Sequence, residues 1–480
     1  MTGNKLRVNN KTTNRNTAVN AKAKNESLED VLQRSGSPVE MLRNSQLGPN
    51  VYPVVPAEYT NWRDEQRAWR ETCILFNQSY HMTDMYVEGP DALTLLSKLG
   101  INTFKNFSVN KAKQFVPCNY DGYVIGDVIL FHLDEHKFNL VGRPCVHNWV
   151  QFHVETGDYD VKLRRDERSI ARKDPEGREV YRYQVQGPNA AQLMEHAVGK
   201  AMPDIKFFNM EVIKLGGCEV HALRHGMVGQ PGWELFGPYE EGEAVKDAIV
   251  AAGADYGLCL SGARTYSSNT LESGWIPSPM AAVYSGDKMK AYREWLPGNG
   301  FEAKASLGGS FYSDNIEDYY LTPHDLGYGS LIKFDHDFIG REALEAMQDK
   351  PHRKKVTLAL NGKDVERTIG SMFQDENNAK FMDWPSAVYA MLPYDKVTKD
   401  GKTIGISTWC GYSFNERKML TLAMLDAEYA KPGTEVVFVW GEEDGGSSKP
   451  TVERHVQTEI RATVAPAPYV EFARTTYRKD

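Results

Sequence analysis

Apolar and polar positions along the chain change period in a way that repeats. Val87-Glu88-Gly89-Pro90-Asp91-Ala92-Leu93-Thr94-Leu95-Leu96 reads as the end of a strand, a Gly-Pro turn, and Ala and Leu at helical spacing. The same pattern returns 98 residues later as Val185-Gln186-Gly187-Pro188-Asn189-Ala190-Ala191-Gln192-Leu193-Met194. A duplicated strand–turn–helix unit is predicted from it. Glycine frees the backbone at the turn, and proline fits the first helical turn, where its missing N–H costs nothing. Strand patterns follow each copy: Gln114–Pro117, Tyr123–Leu133 and Lys137–Gly142 after the first, and Glu211–Leu215, Glu219–Arg224 and Trp233–Phe236 after the second.

Strand–helix–strand–strand order, used twice, fits two ferredoxin-like α+β units with repeats near 85–150 and 183–245. Met280–Asp325 is rich in Gly, Pro, Asp and aromatics and has little periodicity, so it reads as loops. From Val356 the pattern alternates, Asp400-Gly401 is a hairpin signal, and Glu435–Trp440 and Glu459–Val464 are β-rich. Residues 353–476 are therefore expected to form a C-terminal antiparallel barrel or sandwich, residues 29–350 to carry the site, and 1–28 to be a disordered basic tail.

Composition narrows the class without giving a function. At 480 residues, 41% hydrophobic and 25% charged, the chain can bury a sizeable core. No apolar run is long enough to span a membrane. The first 25 residues hold six basic and no acidic side chains while the net charge is −8, so the remainder is decidedly acidic. An acidic body argues against nucleic acid as a partner. Six dispersed cysteines without a CxxC pair read as reduced thiols in a cytoplasmic protein. The oligomeric state is not encoded legibly.

Standard catalytic motifs are absent: there is no P-loop, dinucleotide fingerprint, HExxH or GxSxG. His132/His136 and His221/His225 have i,i+4 spacing, but in strands that separation is about 13 Å, so surface or hydrogen-bonded histidines are expected and not a metal pair. Two glycine-bearing segments stand out, Arg224-His225-Gly226-Met227-Val228-Gly229-Gln230-Pro231-Gly232-Trp233-Glu234-Leu235 and Gly262-Ala263-Arg264-Thr265-Tyr266 through Leu271-Glu272-Ser273-Gly274-Trp275. Each alone is also compatible with a loop leading into a strand or helix.

Together with Asp337-Phe338-Ile339-Gly340-Arg341-Glu342-Ala343-Leu344, these segments resemble the glycine-cleavage T-protein (aminomethyltransferase) superfamily of tetrahydrofolate enzymes, in that family's order. Val51-Tyr-Pro-Val-Val55, Tyr284-Ser-Gly-Asp-Lys288, Ala291–Pro297 and Lys333–Phe338 further resemble its tetrahydrofolate-dependent aryl O-demethylases, which act on vanillate, 3-O-methylgallate and syringate in lignin catabolism. The resemblance implies an α+β, T-protein-like fold: two duplicated units around a folate channel, closed by a C-terminal antiparallel β-barrel. It implies a metal-independent methyl transfer from a methoxylated aromatic acid to tetrahydrofolate. An aminomethyltransferase, a dimethylsulfoniopropionate demethylase and a non-catalytic folate-binding module remain alternatives. T-proteins carry an Asp-Asp pair where this chain has Gly126-Asp127, a departure that weighs against aminomethyl transfer. Asp127 itself is expected to cap or pair structurally.

By the same resemblance, Tyr266 is expected to share a proton with the leaving phenolic oxygen, as a group with the acidity of a phenol can. His81 is the second catalytic candidate. Tyr52 and Gln78 match the aromatic pocket, and Arg143 the arginine that takes the substrate carboxylate through two parallel hydrogen bonds. Glu234 matches the carboxylate that accepts the pterin's adjacent N–H groups; Glu272, Arg264 and Trp275 are further folate-site candidates.

Overall fold

The computed structural model describes residues 26–49, 52–171, 177–277 and 279–477. Of the basic tail expected over 1–28, residues 1–25 lie outside the described residues. The last three belong to the fold. Ser27 caps helix α1 (Leu28–Ser35): its Oγ accepts from Asp30 N at 3.2 Å and the Asp30 carboxylate accepts from Ser27 N at 2.9 Å. A reciprocal cap of this kind satisfies two otherwise orphaned amides and starts the helix sharply.

Two sheets carry the site. Strand β1 (Cys73–Asn77) precedes the first repeat, which contains β2 (Thr83–Glu88), helix α2 (Ala92–Leu99), β3 (Lys111–Phe115), β4 (Val128–Asp134), β5 (Lys137–Gly142), helix α3 (Pro144–Thr156) and β6 (Lys162–Asp166). The strand order β3-β4-β5-β2-β6 is a ferredoxin-like antiparallel sheet with β3 added at one edge. The second repeat contains β7 (Val180–Gln186), helix α4 (Ala190–Val198), β8 (Met210–Leu215), β9 (Cys218–Leu223), β10 (Gly232–Pro238), helix α5 (Gly242–Gly253) and β11 (Leu258–Leu260). Its sheet runs β11-β1-β7-β10-β9-β8, so the place beside β7 that β6 holds beside β2 is taken by β1, from upstream of the first repeat.

The repeat glycines show why both units turn alike. Gly89 and Gly187 have φ of 146° and 131°, and a Cβ there would come within 2.2 Å of Asp160 O and 2.4 Å of Thr72 O. Each backbone thus passes flat against the strand entering beside it, an approach that only glycine permits.

One strand is shorter than its pattern predicts. Tyr123–Leu133 reads as continuous, yet only Val128–Asp134 pairs in the sheet. Asn119 Oδ1 accepts from both Asp121 N and Tyr123 N at 3.0 Å, folding the chain into a tight loop. Val124 N then donates to Leu321 O at 2.9 Å, so this segment spends its backbone bonds on the Met280–Asp325 stretch instead.

The C-terminal region is a closed antiparallel barrel of six strands: β12 (Lys354–Leu360), β13 (Asp395–Lys399), β14 (Lys402–Ser413), β15 (Lys418–Leu425), β16 (Glu435–Trp440) and β17 (Thr458–Ala465). Closure follows because β12 pairs with both β15 and β17, while β14 pairs with both β13 and β15. Full closure removes the exposed edges that an open sheet would present. Leu358, Val397, Leu425, Phe438 and Ile460 fill its centre.

The two repeat sheets meet through aromatic packing and a buried charge relay. The Arg182 guanidinium lies between the rings of Phe131 and Phe236, 5.1 and 4.9 Å from their centroids. It pairs with Glu234 on one side and with Asp84 at 2.8 Å on the other. Asp84 also accepts from Arg178 at 2.9 Å, and Arg178 reaches Asp166 at 3.0 Å. Burial alone would raise the Asp84 carboxyl, but Arg182 and Arg178 outweigh it and hold it below its ordinary value. Removing the middle cation strands the Glu234 carboxylate in the interior and leaves Asp84 with Arg178 as its one cation. Arg182→Met is therefore expected to destabilise the fold by about 3–5 kcal/mol in denaturant titration; a loss below about 1 kcal/mol contradicts this account of the joint.

Candidate active site

A cavity of about 1160 Å³ opens between the two repeat sheets and the barrel. Seven of the nine sequence-predicted residues line it: Tyr52, Gln78, His81, Arg143, Glu234, Tyr266 and Trp275. They arrive from separate elements. Gln78 follows the end of β1, Arg143 precedes α3, Glu234 sits in β10, and Tyr266 ends the short helix α6 (Ala263–Tyr266).

The polar centre is the Tyr266 hydroxyl. His81 Nε2 lies 3.0 Å from it, and Gln78 Nε2 donates to it at 3.3 Å. Met227 Sδ lies 3.1 Å from the hydroxyl and 2.8 Å from Gln78 Nε2. Tyr52 stands edge-on to both rings, with centroids 4.4 Å from Tyr266 and 4.9 Å from His81. Phe76 backs Tyr266 at 5.6 Å. The hydroxyl is thus fixed in place while its ring is held by aromatic neighbours.

Electrostatics assigns the protonation states. Burial, with a lesser contribution from Tyr52, pushes the Tyr266 phenol well above its ordinary value, so it stays protonated. Burial, joined by Arg143, Arg178, Arg182 and Arg168, lowers the His81 imidazolium to about 3. His81 is therefore neutral at physiological pH, and kcat/KM is expected to show no acid limb from it between pH 8 and about 5. A limb centred near 6.5 that disappears in His81→Gln contradicts this. The sign for stability follows from linkage. The unfolded chain protonates this imidazole below about 6.5 and the folded chain does not, so its contribution erodes stability as pH falls from there toward 3.

Arg143 stands at the cap position of α3, and burial makes its charged form costly. No hydrogen bond or ion pair engages its guanidinium among the described residues. Glu234 uses Oε1 for Arg182, while its other oxygen accepts no hydrogen bond among the described residues. Asp127 lines the same cavity; its Oδ2 accepts from Trp275 Nε1 at 2.9 Å, Tyr328 OH at 2.8 Å and Gln114 Nε2. It therefore ties three lining residues together and fixes the Trp275 ring.

Two candidates lie elsewhere. Glu272, expected at the folate site, is 1% exposed and outside the cavity. Its carboxylate accepts from Trp69 Nε1 at 3.0 Å, Arg70 at 2.8 Å, Ser413 Oγ at 2.9 Å and Asn415 Nδ2 at 3.0 Å. With that many donors it is a joint between the helix Trp62–Glu71 and the barrel, and no oxygen is left for a pterin. Arg264 also points away, toward Trp384 O and Glu58. Arg264 stands two residues before Tyr266 on the same short helix, and positions two apart do not share a face; Glu272 stands on a separate short helix, Thr270–Ser273, so sequence proximity to Tyr266 does not carry orientation.

Several lining residues had no sequence signal. Trp409 reaches the cavity from β14 because a register shift between Thr408 and Cys410 leaves it with φ 66°, its Nε1 donating to Ser267 O at 2.9 Å. A bulge re-aims a side chain in this way, and no hydropathy pattern announces it. Met227 lay within the glycine-bearing segment without being distinguished from its neighbours. His225 lines the cavity, stacked on Phe208 at 5.0 Å, whereas His221 stacks on Phe236 and His132 on Phe138.

A family model described as the GCVT N-terminal domain matches residues 42–278. The chain is 58% identical over 451 residues to the syringate O-demethylase of Sphingobium sp. (strain NBRC 103272 / SYK-6), covering 94% of this chain and 97% of that protein. It is 29% identical over 438 residues to the sesamin methylene transferase of Sinomonas sp. (strain No.22), covering 88% and 91%. The glycine cleavage system aminomethyltransferase T from Bartonella henselae superposes with a TM-score of 0.59 at 18% identity, covering 92% of this chain and 97% of that one, a likeness of fold. Near-full-length identity at this level, on a T-protein-like architecture, establishes that the chain belongs to the glycine-cleavage T-protein superfamily, in its O-demethylase branch.

Proposed function

We propose that the protein is a tetrahydrofolate-dependent O-demethylase that removes the methyl group of a syringate-type methoxylated aromatic acid, giving the phenol and 5-methyltetrahydrofolate. The observation that carries this reading is a buried, protonated tyrosine at the centre of a cavity that also holds an unpaired arginine and a carboxylate with a free oxygen. Those three groups match the three demands of the reaction: a proton donor at the leaving oxygen, a cation for the acid, and an acceptor for pterin N–H groups.

The cavity residues fit the cosubstrate. The free oxygen of Glu234 and the ring of Trp275 would hold the pterin, and Phe207, Phe208 and Tyr477 add aromatic lining to the same cavity. When bound, tetrahydrofolate supplies the nitrogen that accepts the methyl group.

The chain's own residues do the rest. Tyr266 O–H donates to the aryl oxygen as its bond to the methyl carbon breaks, so the departing group leaves as a phenol, and Tyr266 would recover its proton from the one the folate nitrogen gives up on methylation. Desolvation keeps that proton on Tyr266 until the oxygen becomes more basic than an ether. Neutral His81 and Gln78 hold the hydroxyl's direction, and Met227 fills the space beside it without competing as a strong acceptor. Arg143 pairs with the carboxylate, assisted by the positive end of α3. Positioning the methoxy carbon in this way supplies much of the rate. A cytoplasmic location suits the reduced cysteines, and among the described residues no helix is long and apolar enough to cross a membrane. The direct test is turnover of a panel of methoxybenzoates with and without tetrahydrofolate, followed by detection of methylated folate.

A further inference from the structure

Three arginines, Arg143, Arg165 and Arg168, line the cavity, and their surroundings differ. Arg165 is occupied: it donates to Asn148 Oδ1 and Gln151 Oε1 at 2.9 Å each and pairs with Glu167 at 2.7 Å. Arg168 is not. Its Nε is buried without a hydrogen-bond partner, and no ion pair engages its guanidinium among the described residues. The side chain nevertheless lies along the cavity wall, stacked 5.0 Å over the Phe301 ring, which also lines the cavity. Its backbone N donates to Thr83 Oγ1 at 3.3 Å, anchoring the residue just past β6.

An unpaired guanidinium in a half-buried place costs stability, and burial together with the nearby charge of Arg143 lowers its proton affinity. Stacking fixes its plane, which reduces what must be ordered when a ligand arrives. We infer that Arg168 is a second binding residue for the substrate's carboxylate, so that Arg143 and Arg168 together form a two-guanidinium clamp selecting aromatic acids over neutral methoxyarenes. The inference rests on the proposed demethylase reading and adds to it a residue that sets substrate class.

The clamp acts on binding, and the methyl transfer occurs at another part of the ring. Arg168→Met is therefore expected to raise KM for syringate by roughly 10–100-fold, with kcat within about threefold of wild type. The corresponding carboxamide, which keeps the ring and both methoxy groups, should lose less than about threefold in affinity. Arg168→Lys should restore part of the loss, since it returns charge without the fork. Calorimetric binding of syringate to the wild-type and Met proteins separates the two claims. Wild-type protein that binds the acid, with affinity lost in Arg168→Met but no folate methylation, leaves the clamp standing and overturns the demethylase reading. Wild-type turnover with equal weakening of acid and amide, or no change in either, overturns the clamp. Wild-type protein that binds no methoxybenzoate overturns both.

Discussion

Replacing Tyr266 by Phe is expected to lower kcat by roughly 10²–10⁴-fold, the range that a well-placed general acid supplies. The substitution removes one oxygen and leaves the ring contacts with Tyr52 and Phe76 in place. Affinity for folate should change little, because Glu234 and Trp275 are untouched. A further consequence follows from the neighbours. His81 Nε2 and Gln78 Nε2 both meet the lost hydroxyl, but Gln78 also lies 3.2 Å from Gln184 Oε1 and keeps that partner. Stability should fall by only about 1–2 kcal/mol, the cost of an unmade buried hydrogen bond. Single-turnover kinetics, folate binding and thermal unfolding of the same variant check all three. A kcat within threefold of wild type removes Tyr266 from the chemistry.

The second large effect concerns Arg143. Its guanidinium is half-buried beside Tyr52 without a carboxylate of its own. Arg143→Met should lower kcat/KM for an aromatic acid by roughly 10²–10³-fold, chiefly through KM, because a desolvated carboxylate would then face no cation. The ligand-free variant should be at least as stable as wild type, since an uncompensated half-buried charge is gone. Arg143→Lys should recover only part of the activity, an ammonium being unable to make two parallel bonds in one plane. A catalytic loss matched by a fall in melting temperature would assign Arg143 to the fold and not to the substrate.

The duplicated units were legible because their signal is local. A Gly-Pro turn between a strand and a helix is written in ten consecutive residues, and the structure places both copies at equivalent turns. The barrel strands were legible for the same reason. The exchange of β1 into the second sheet was not, since nothing in Cys73–Asn77 distinguishes pairing with β7 from pairing with β2. The site divides along the same line. Residues carried by resemblance on strands or beside strand ends, such as Glu234, Gln78 and Arg143, arrive in the cavity. Glu272 and Arg264, on or beside short helices whose rotation depends on what the barrel offers them, do not. Trp409 depends on a bulge and Arg168 on a missing partner, and neither is a property of a sequence window.

The central claim is that the methyl group passes intact from the aryl oxygen to reduced folate within this cavity. Incubating the protein with syringate carrying ¹³C in its methoxy groups, with tetrahydrofolate present or omitted, and following the label by NMR tests it most directly. The expected result is stoichiometric appearance of ¹³C-methyl on folate nitrogen alongside the phenol, with no phenol formed when folate is left out. Label recovered as formaldehyde, or demethylated product without folate, would contradict it.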